Sequence, residues 1–293
     1  MATVKIAGAP ISWGVCEVPN WGHQMSPERV LKEMADLGLG ATEFGPEGFL
    51  PIDPAARAKV LRDHGMEAVG GFFPVIMHRA DVDPLPKVQQ ELEAYVASGA
   101  KTLVLSADTG LEGYDTKREA LDEAGWQLFN QNLDRIKDYA ASLGITAVLH
   151  PHVGTMVETE DDINHVLAGS SIKFCLDTGH MLIGGTDPVA FARNHADRVA
   201  HSHLKDVNLE VAKRVQSGEI TYYQGILQGM YVPLGEGDVD VRSIVTDLVN
   251  SGYDGWFALE QDNVINNEPG LGEGPLADAK KSVEFIRSVV SSL

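Results

Sequence analysis

The sequence predicts a single (β/α)8 barrel, and three observations predict it. Short apolar or β-branched runs alternate with amphipathic stretches eight times along the 293 residues. None of these runs shows the one-face alternation of a solvated sheet, so the strands read as buried on both faces, as in parallel α/β proteins. No Gly-x-Gly-x-x-Gly follows a strand, which removes the main support for an open dinucleotide-binding sheet. The length fits, because α/β barrels of about 250 residues remain one domain, and the expected domain spans 1–293.

The expected strands are 4–12, 41–45, 67–76, 102–107, 146–151, 172–177, 199–204 and 256–260. Capping residues mark the helices between them. Ser26-Pro27-Glu28 sets a hydroxyl before a proline at the first helical position, and Asp187-Pro188 repeats the device. Thr159 is followed by three acids, where the helix macrodipole favours them. The helix expected over 122–143 has the strongest period: Trp126, Phe129, Leu133, Ile136, Ala140 and Leu143 recur at spacings of three and four, and Gly144 stops it. Val283, Ile286, Val290 and Leu293 repeat the pattern in the last helix. After strand seven the connection is too long for a barrel loop, giving an expected insertion at about 207–237 before a helix at about 239–251. Tyr222, Tyr223 and Tyr231 there read as a lid over a polar ligand; an ordinary helix with a surface loop is the other reading.

Composition narrows the function. The chain is 44% hydrophobic and 22% charged, ordinary for a soluble globular protein. Forty-two acidic against 23 basic residues give a net charge of −19, which repels nucleic-acid backbones and anionic membranes. The start, MATVKIAGAPISWGV, has no secretory-signal pattern. No apolar run reaches the roughly 18 residues of a membrane span, so the expected location is the cytoplasm. Cys16 and Cys175 cannot by themselves make a disulfide framework or a thiolate zinc site, and no spacing marks either as reactive.

In a barrel of this kind the chemistry gathers at the C-terminal ends of the strands. Read in turn, those ends present Glu43, His150 with His152, Asp177 with His180, His203 with Lys205, and Glu260 with Asp262. Period two places His150 and His152 on one side across Pro151, and likewise His201, His203 and Lys205. Asp177 follows Phe174-Cys175-Leu176 and is expensive to bury unless paired or metal-bound. Each residue alone has an ordinary structural reading. Four donors at four successive strand ends, His150, Asp177, His203 and Glu260, form a candidate metal-ligand set. Two imidazoles with two carboxylates suit Mn²⁺, Co²⁺ or Fe²⁺, and Mg²⁺ or Zn²⁺ follow. His165 and His195 fall in helical stretches and read as surface residues.

These motifs carry a family resemblance over nearly the whole chain. Ala9-Pro10-Ile11-Ser12-Trp13, Thr42-Glu43-Phe44-Gly45, His150-Pro151-His152-Val153-Gly154-Thr155, Asp177-Thr178-Gly179-His180, His203-Leu204-Lys205-Asp206 and Glu260-Gln261-Asp262 resemble the xylose isomerase-like (sugar phosphate isomerase/epimerase) TIM barrels. Gly229-Met230-Tyr231-Val232-Pro233-Leu234-Gly235-Glu236-Gly237 is similar to the insertion of the inosose (2-keto-myo-inositol) dehydratases within them. The resemblance implies a metal held by strands five to eight, Mn²⁺ or Co²⁺ foremost. It leaves open glutathione as an assisting thiol and a homodimer or homotetramer as the assembly. Two departures stand out. Pro151 interrupts the dehydratases' run of three histidines, and Gly14-Val15-Cys16-Glu17-Val18-Pro19 replaces their Asn-Asp-Asp stretch.

The implied chemistry is elimination of water from a small cyclic keto-polyol through an enolate: a base takes the C–H proton beside the carbonyl, and an acid protonates the departing β-hydroxyl. His152 and His180 are the expected acid–base pair, with Glu43 and Lys205 as second choices. Trp13 and Tyr231 are the expected substrate contacts. A keto-inositol isomerase or epimerase, or a lyase acting on 3-keto glycosides, would use the same proton abstraction. A DNA-repair enzyme of the endonuclease IV type needs a basic surface that this chain lacks. A binding protein that kept the barrel without activity would show no metal affinity.

Overall fold

Eight parallel strands close on one another in the order β1-β10-β7-β6-β5-β4-β3-β2 in the structure, a computed structural model that describes residues 4–293. The barrel strands are β1 (Lys5–Gly8), β2 (Ala41–Glu43), β3 (Glu67–Val75), β4 (Thr102–Ala107), β5 (Thr146–His150), β6 (Lys173–Asp177), β7 (Val199–Leu204) and β10 (Trp256–Leu259). Each lies within its expected span. The largest difference is at the first, where Pro10 breaks the strand: Pro10–Trp13 forms a 3-10 turn ended by Gly14 at φ 76°.

Alternation along the strands divides the interior into an apolar floor and a polar top. Ala7, Ala41 and Val69 pack as one small cluster, and Val104, Val148 and Cys175 as another. Two residues further along the same strands come Glu43, Ser106, His150 and Asp177, all buried. The opposite faces of the strands carry Leu103, Leu105, Leu149, Phe174 and Leu176 into the main core beneath the helices.

The outer layer begins with α1 (Pro27–Asp36), α2 (Pro54–Asp63), α3 (Leu85–Ser98), α4 (Glu123–Ser142) and α5 (Glu160–Gly169). The expected caps form. Ser26 accepts from the Arg29 N–H, and Thr159 and Asp162 complete a reciprocal capping box. α4 buries Trp126, Phe129, Leu133, Ile136 and Ala140 and ends before Gly144, whose φ is 70°. Two helices follow β6 where one was expected, α6 (Thr178–Ile183) and α7 (Pro188–Asn194), separated at Gly184-Gly185. The last helix stops at Val290, so Leu293 lies beyond it and is 41% exposed; the buried stripe is Val283, Ile286 and Val289.

The insertion is built rather than loose. β8 (Asp206–Val207) pairs antiparallel with β9 (Tyr231–Val232), enclosing α8 (Leu209–Gln216) and α9 (Tyr222–Leu227); α10 (Val241–Asn250) and α11 (Pro275–Val290) complete the helices. Its own apolar cluster joins Val207, Ala212, Tyr222, Ile226, Met230 and Tyr231 to Trp21 and Val153 on the barrel loops and to Ile183 at the end of α6. The Asp206 carboxylate anchors the return by accepting N–H bonds from Gly235, Gly237 and Val239 at 2.8–3.0 Å. No helix among the described residues is long and apolar enough to cross a membrane.

Candidate active site

Strand register brings the polar ends together. Asp177 on β6 sits opposite His203 on β7, and His203 opposite Ala258 on β10, two residues before Glu260. Asp177 Oδ2 lies 3.2 Å from His150 Nε2 and 3.6 Å from His203 Nδ1, and His203 Nδ1 lies 3.2 Å from Glu260 Oε2. Asp177, His203 and Glu260 therefore offer donor atoms within 4.8 Å of one another, and His150 joins them through Asp177. Donors bound to one ion at about 2.0–2.3 Å stand roughly 3.0–3.6 Å from each other, so this spacing fits a shared divalent cation. His203 Nδ1 is buried without a hydrogen-bond partner, which fits a ligand nitrogen. The second oxygen of Asp177 is engaged elsewhere: Oδ1 caps α6 by accepting from Gly179 and His180 N–H groups at 2.9 and 2.7 Å.

The charges describe the same demand for a cation. Burial opposes ionisation of Glu260, but His203 and Lys205 beside it prevail and hold its carboxyl at about 2. Burial likewise opposes a charge on His203, and Cys175, Glu260 and Glu43 outweigh it, raising the imidazole well above its usual range. Lys205 is buried, yet Asp262, Glu260 and Asp177 keep its ammonium firmly protonated. Its Nζ bonds Asp262 and stands 3.0 Å from Glu260 Oε2. Asp262 also accepts from the Tyr222 hydroxyl at 2.7 Å, so the insertion braces Lys205 through this carboxylate. Gly179 keeps the space open, since a Cβ there would come within 2.8 Å of Lys205 Cβ and 2.9 Å of the Tyr231 ring.

A cavity of about 520 Å³ opens over these groups, walled by Phe72, Tyr114, Glu17, His150, His152, Lys205, Glu260 and Asp262 among others. His152 donates Nδ1–H to the Val153 carbonyl at 2.7 Å, which leaves its Nε2 as the unprotonated nitrogen. Burial, with His150 and Lys205 nearby, holds this imidazole neutral, well below its usual range. His180 does not reach the cavity wall. It stacks behind His152 at 3.6 Å between ring centroids, and its Nδ1 accepts from the Val153 N–H at 3.5 Å. The expected acid–base pair is thus one wall imidazole with a second packed behind it.

Neither expected substrate contact, Trp13 nor Tyr231, lies on the cavity wall. Trp13 is 1% exposed in the core, donating its Nε1–H to Glu33 at 2.8 Å. Tyr231 backs Lys205 at 5.2 Å and bonds Tyr222 at 2.9 Å, away from the cavity wall. Tyr114, which the sequence did not single out, takes the wall position instead. It lies 4.6 Å from His152, ring to ring, and its hydroxyl bonds Glu17 on the strand-one loop. Of the two histidines expected at the surface, His165 is exposed and stacked on Trp126, whereas His195 is half-buried just past the end of α7.

Residues 31–289 match the model of a protein family described as xylose isomerase-like TIM barrel. The chain belongs to this family. Among xylose isomerase-like relatives, the rhizopine catabolism protein MocC of Rhizobium meliloti is 31% identical, over 91% of this chain and 84% of that protein. The inosose dehydratase of Geobacillus kaustophilus is also 31% identical, over 99% and 96% respectively. Among solved structures of the fold, the IOLI protein with a bound zinc atom superposes with a TM-score of 0.72 at 13% identity, over 99% of both chains. The protein is an enzyme of this xylose isomerase-like class.

Proposed function

We propose that the protein is a metal-dependent hydro-lyase that removes water from a cyclic keto-polyol of the keto-inositol class. The observation that carries this reading is the meeting of His150, Asp177, His203 and Glu260 beside the free Nε2 of His152, in one cavity. The kinship with inosose dehydratases over almost the full chain supports the substrate class. A divalent ion held by the four donors, Mn²⁺ or Co²⁺ by their mixed N/O character, would supply Lewis-acid polarisation of the substrate carbonyl.

The chain's own groups do the rest. His152 Nε2 takes the proton from the carbon beside the carbonyl, and the C–H electron pair moves into the enolate. The Lys205 ammonium offsets the negative charge developing on the oxygen. His152, now imidazolium, returns the proton to the β-hydroxyl; the C–O bond breaks, the double bond forms and water leaves. One imidazole serving as base and then acid requires both groups on one face of the substrate, a syn elimination.

The cavity also favours an uncharged substrate. Glu17, Glu43, Glu47, Asp53, Glu91, Glu93, Glu260 and Asp262 line it against Arg57, Lys87 and Lys205. Each cation is already engaged: Arg57 with Glu91 at 2.8 Å, Lys87 with the Pro74 carbonyl at 2.8 Å, and Lys205 as above. A phosphorylated or carboxylated keto-polyol is therefore expected to bind at least about 100-fold more weakly than its neutral parent, because like-charge juxtaposition costs several kcal/mol. Competition titration of the two compounds measures this, and equal affinity would reject the assignment.

The function is tested by incubating metal-stripped protein anaerobically with 2-keto-myo-inositol, with and without Mn²⁺ or Co²⁺, and following product mass. Metal-dependent loss of one water is the expected result. An isomeric product of unchanged mass would instead establish an isomerase or epimerase. A lyase for 3-keto glycosides would leave inosose intact and release the aglycone from its own substrate.

A further inference from the structure

We infer that Glu43 is a positioning residue, whose carboxylate reaches across the barrel, holds the Nε2 protons of His201 and His203, and so keeps His203 Nδ1 free for a divalent ion. This rests on the metal-site reading above. β2 and β7 are separated around the barrel by β1 and β10, so the contact crosses the interior rather than following the sheet. A register irregularity lies beside Glu43. Register shifts between Thr42 and Glu43 against β3, so Glu43 pairs with Gly70. Gly70 has φ 135°, and a Cβ there would fall 1.8 Å from the Thr102 carbonyl oxygen, so no other residue fits this backbone.

Glu43 Oε1 accepts from His201 Nε2 at 2.7 Å and from His203 Nε2 at 2.9 Å, with all three side chains buried. An ionised carboxylate only accepts, so each imidazole presents N–H at Nε2, and the lone pair that an ion would take is the one on Nδ1, from which the ion would displace any proton. Both Nδ1 atoms are buried without a hydrogen-bond partner. That of His203 is the atom between Asp177 and Glu260. The trio's own donor atoms also cluster within 4.8 Å, which raises a second ion as the rival reading. The two N···O separations are hydrogen-bond lengths, shorter than the roughly 3.0–3.6 Å between ligands of one ion, and they favour the hydrogen-bonded trio. A carboxylate oxygen so occupied is also poorly placed as the base that the sequence offered it as. His201 acts as the second donor that fixes the carboxylate's angle.

The test uses metal-stripped full-length protein and Co²⁺ alone, with affinity read by competition against a chromophoric chelator. A carboxamide in E43Q is uncharged and holds the two N–H groups more weakly than the carboxylate does, so Co²⁺ affinity is expected to fall about 10–100-fold, the usual effect of impairing a partner that orients a ligand. H201F leaves the Glu43 carboxylate to His203 and is expected to stay within about threefold of wild type, well short of that loss. Should E43Q fold poorly, ¹⁵N NMR of the Zn²⁺-loaded wild type gives the same answer: Nε2–H tautomers at His201 and His203 are expected. Affinity of E43Q equal to wild type, an Nδ1–H tautomer at His203, or two Co²⁺ per chain would each overturn the inference. A wild type that binds no Co²⁺ would overturn the metal-site reading itself, a result distinct from all of these.

Discussion

Replacing Asp177 by asparagine is expected to abolish metal binding and turnover together while leaving the barrel folded. The side chain does two jobs with two oxygens. Oδ1 caps α6 through the Gly179 and His180 N–H groups, and an asparagine oxygen can do the same. Oδ2 is the oxygen shared between His150 and His203, and it stands 3.8 Å from Lys205 Nζ. An amide nitrogen there offers no lone pair and removes one of the anionic charges that make the site attractive to a cation. Removing one partner of a buried charge pair costs about 3–5 kcal/mol, equivalent to roughly 10²–10⁴-fold in a binding constant. Calorimetric titration with Mn²⁺ measures the affinity, and a thermal melt checks the fold. D177N binding Mn²⁺ within about tenfold of wild type, a difference of only about 1.4 kcal/mol, would remove the cluster as the metal site.

Much of this centre could be read from the sequence because the strand pattern was enough. Runs such as Leu103-Val104-Leu105 and Phe174-Cys175-Leu176 are apolar on both faces, and that pattern belongs to a strand covered by helices on one side and a barrel floor on the other. Period two then carries the inward positions from apolar to polar, from Val148 to His150 and from Cys175 to Asp177, which marks the polar rim. What could not be read depended on contacts between distant segments. Trp13 sits in a motif beside the site, but its exposure was decided by Glu33 on α1, which takes its N–H. Tyr114 lies in 108–122, a stretch with neither helical nor strand period, and only the packing of two loops brings it against His152. The Glu43 contacts with His201 and His203 span 158 and 160 residues, and no local pattern encodes them. The two-helix connection after β6 was hidden for another reason. The short α6 starts at the Asp177 cap and ends at Gly184 after six residues, too few to show a helical period.

Replacing His152 by glutamine is expected to lower kcat by about 10²–10⁴-fold, the range for losing a general acid–base group, with Mn²⁺ affinity unchanged. Glutamine keeps a polar side chain of similar reach but has no basic nitrogen. The ring it replaces is fixed by the Nδ1 bond to Val153 and lies against Tyr114, Phe72 and His180 at 4.6, 5.6 and 3.6 Å between centroids, so Nε2 has little freedom to leave the cavity. His150 and His152 are the cavity-wall imidazoles among the described residues, and His150 belongs to the donor set. H180Q, which alters the ring behind the wall, is therefore expected to lose less than about tenfold, below the usual acid–base range. Solvent deuterium entering the carbon beside the ketone separates the two halves of the reaction. Wild type should exchange and dehydrate, H180Q should do both, and H152Q should do neither. An H152Q enzyme that still exchanges deuterium but forms no alkene would leave His152 only the leaving-group proton, and a different wall residue would then have to be the base. An H180Q loss as deep as that of H152Q would mean that the stacked pair acts as one unit, and the single-imidazole syn elimination would be wrong.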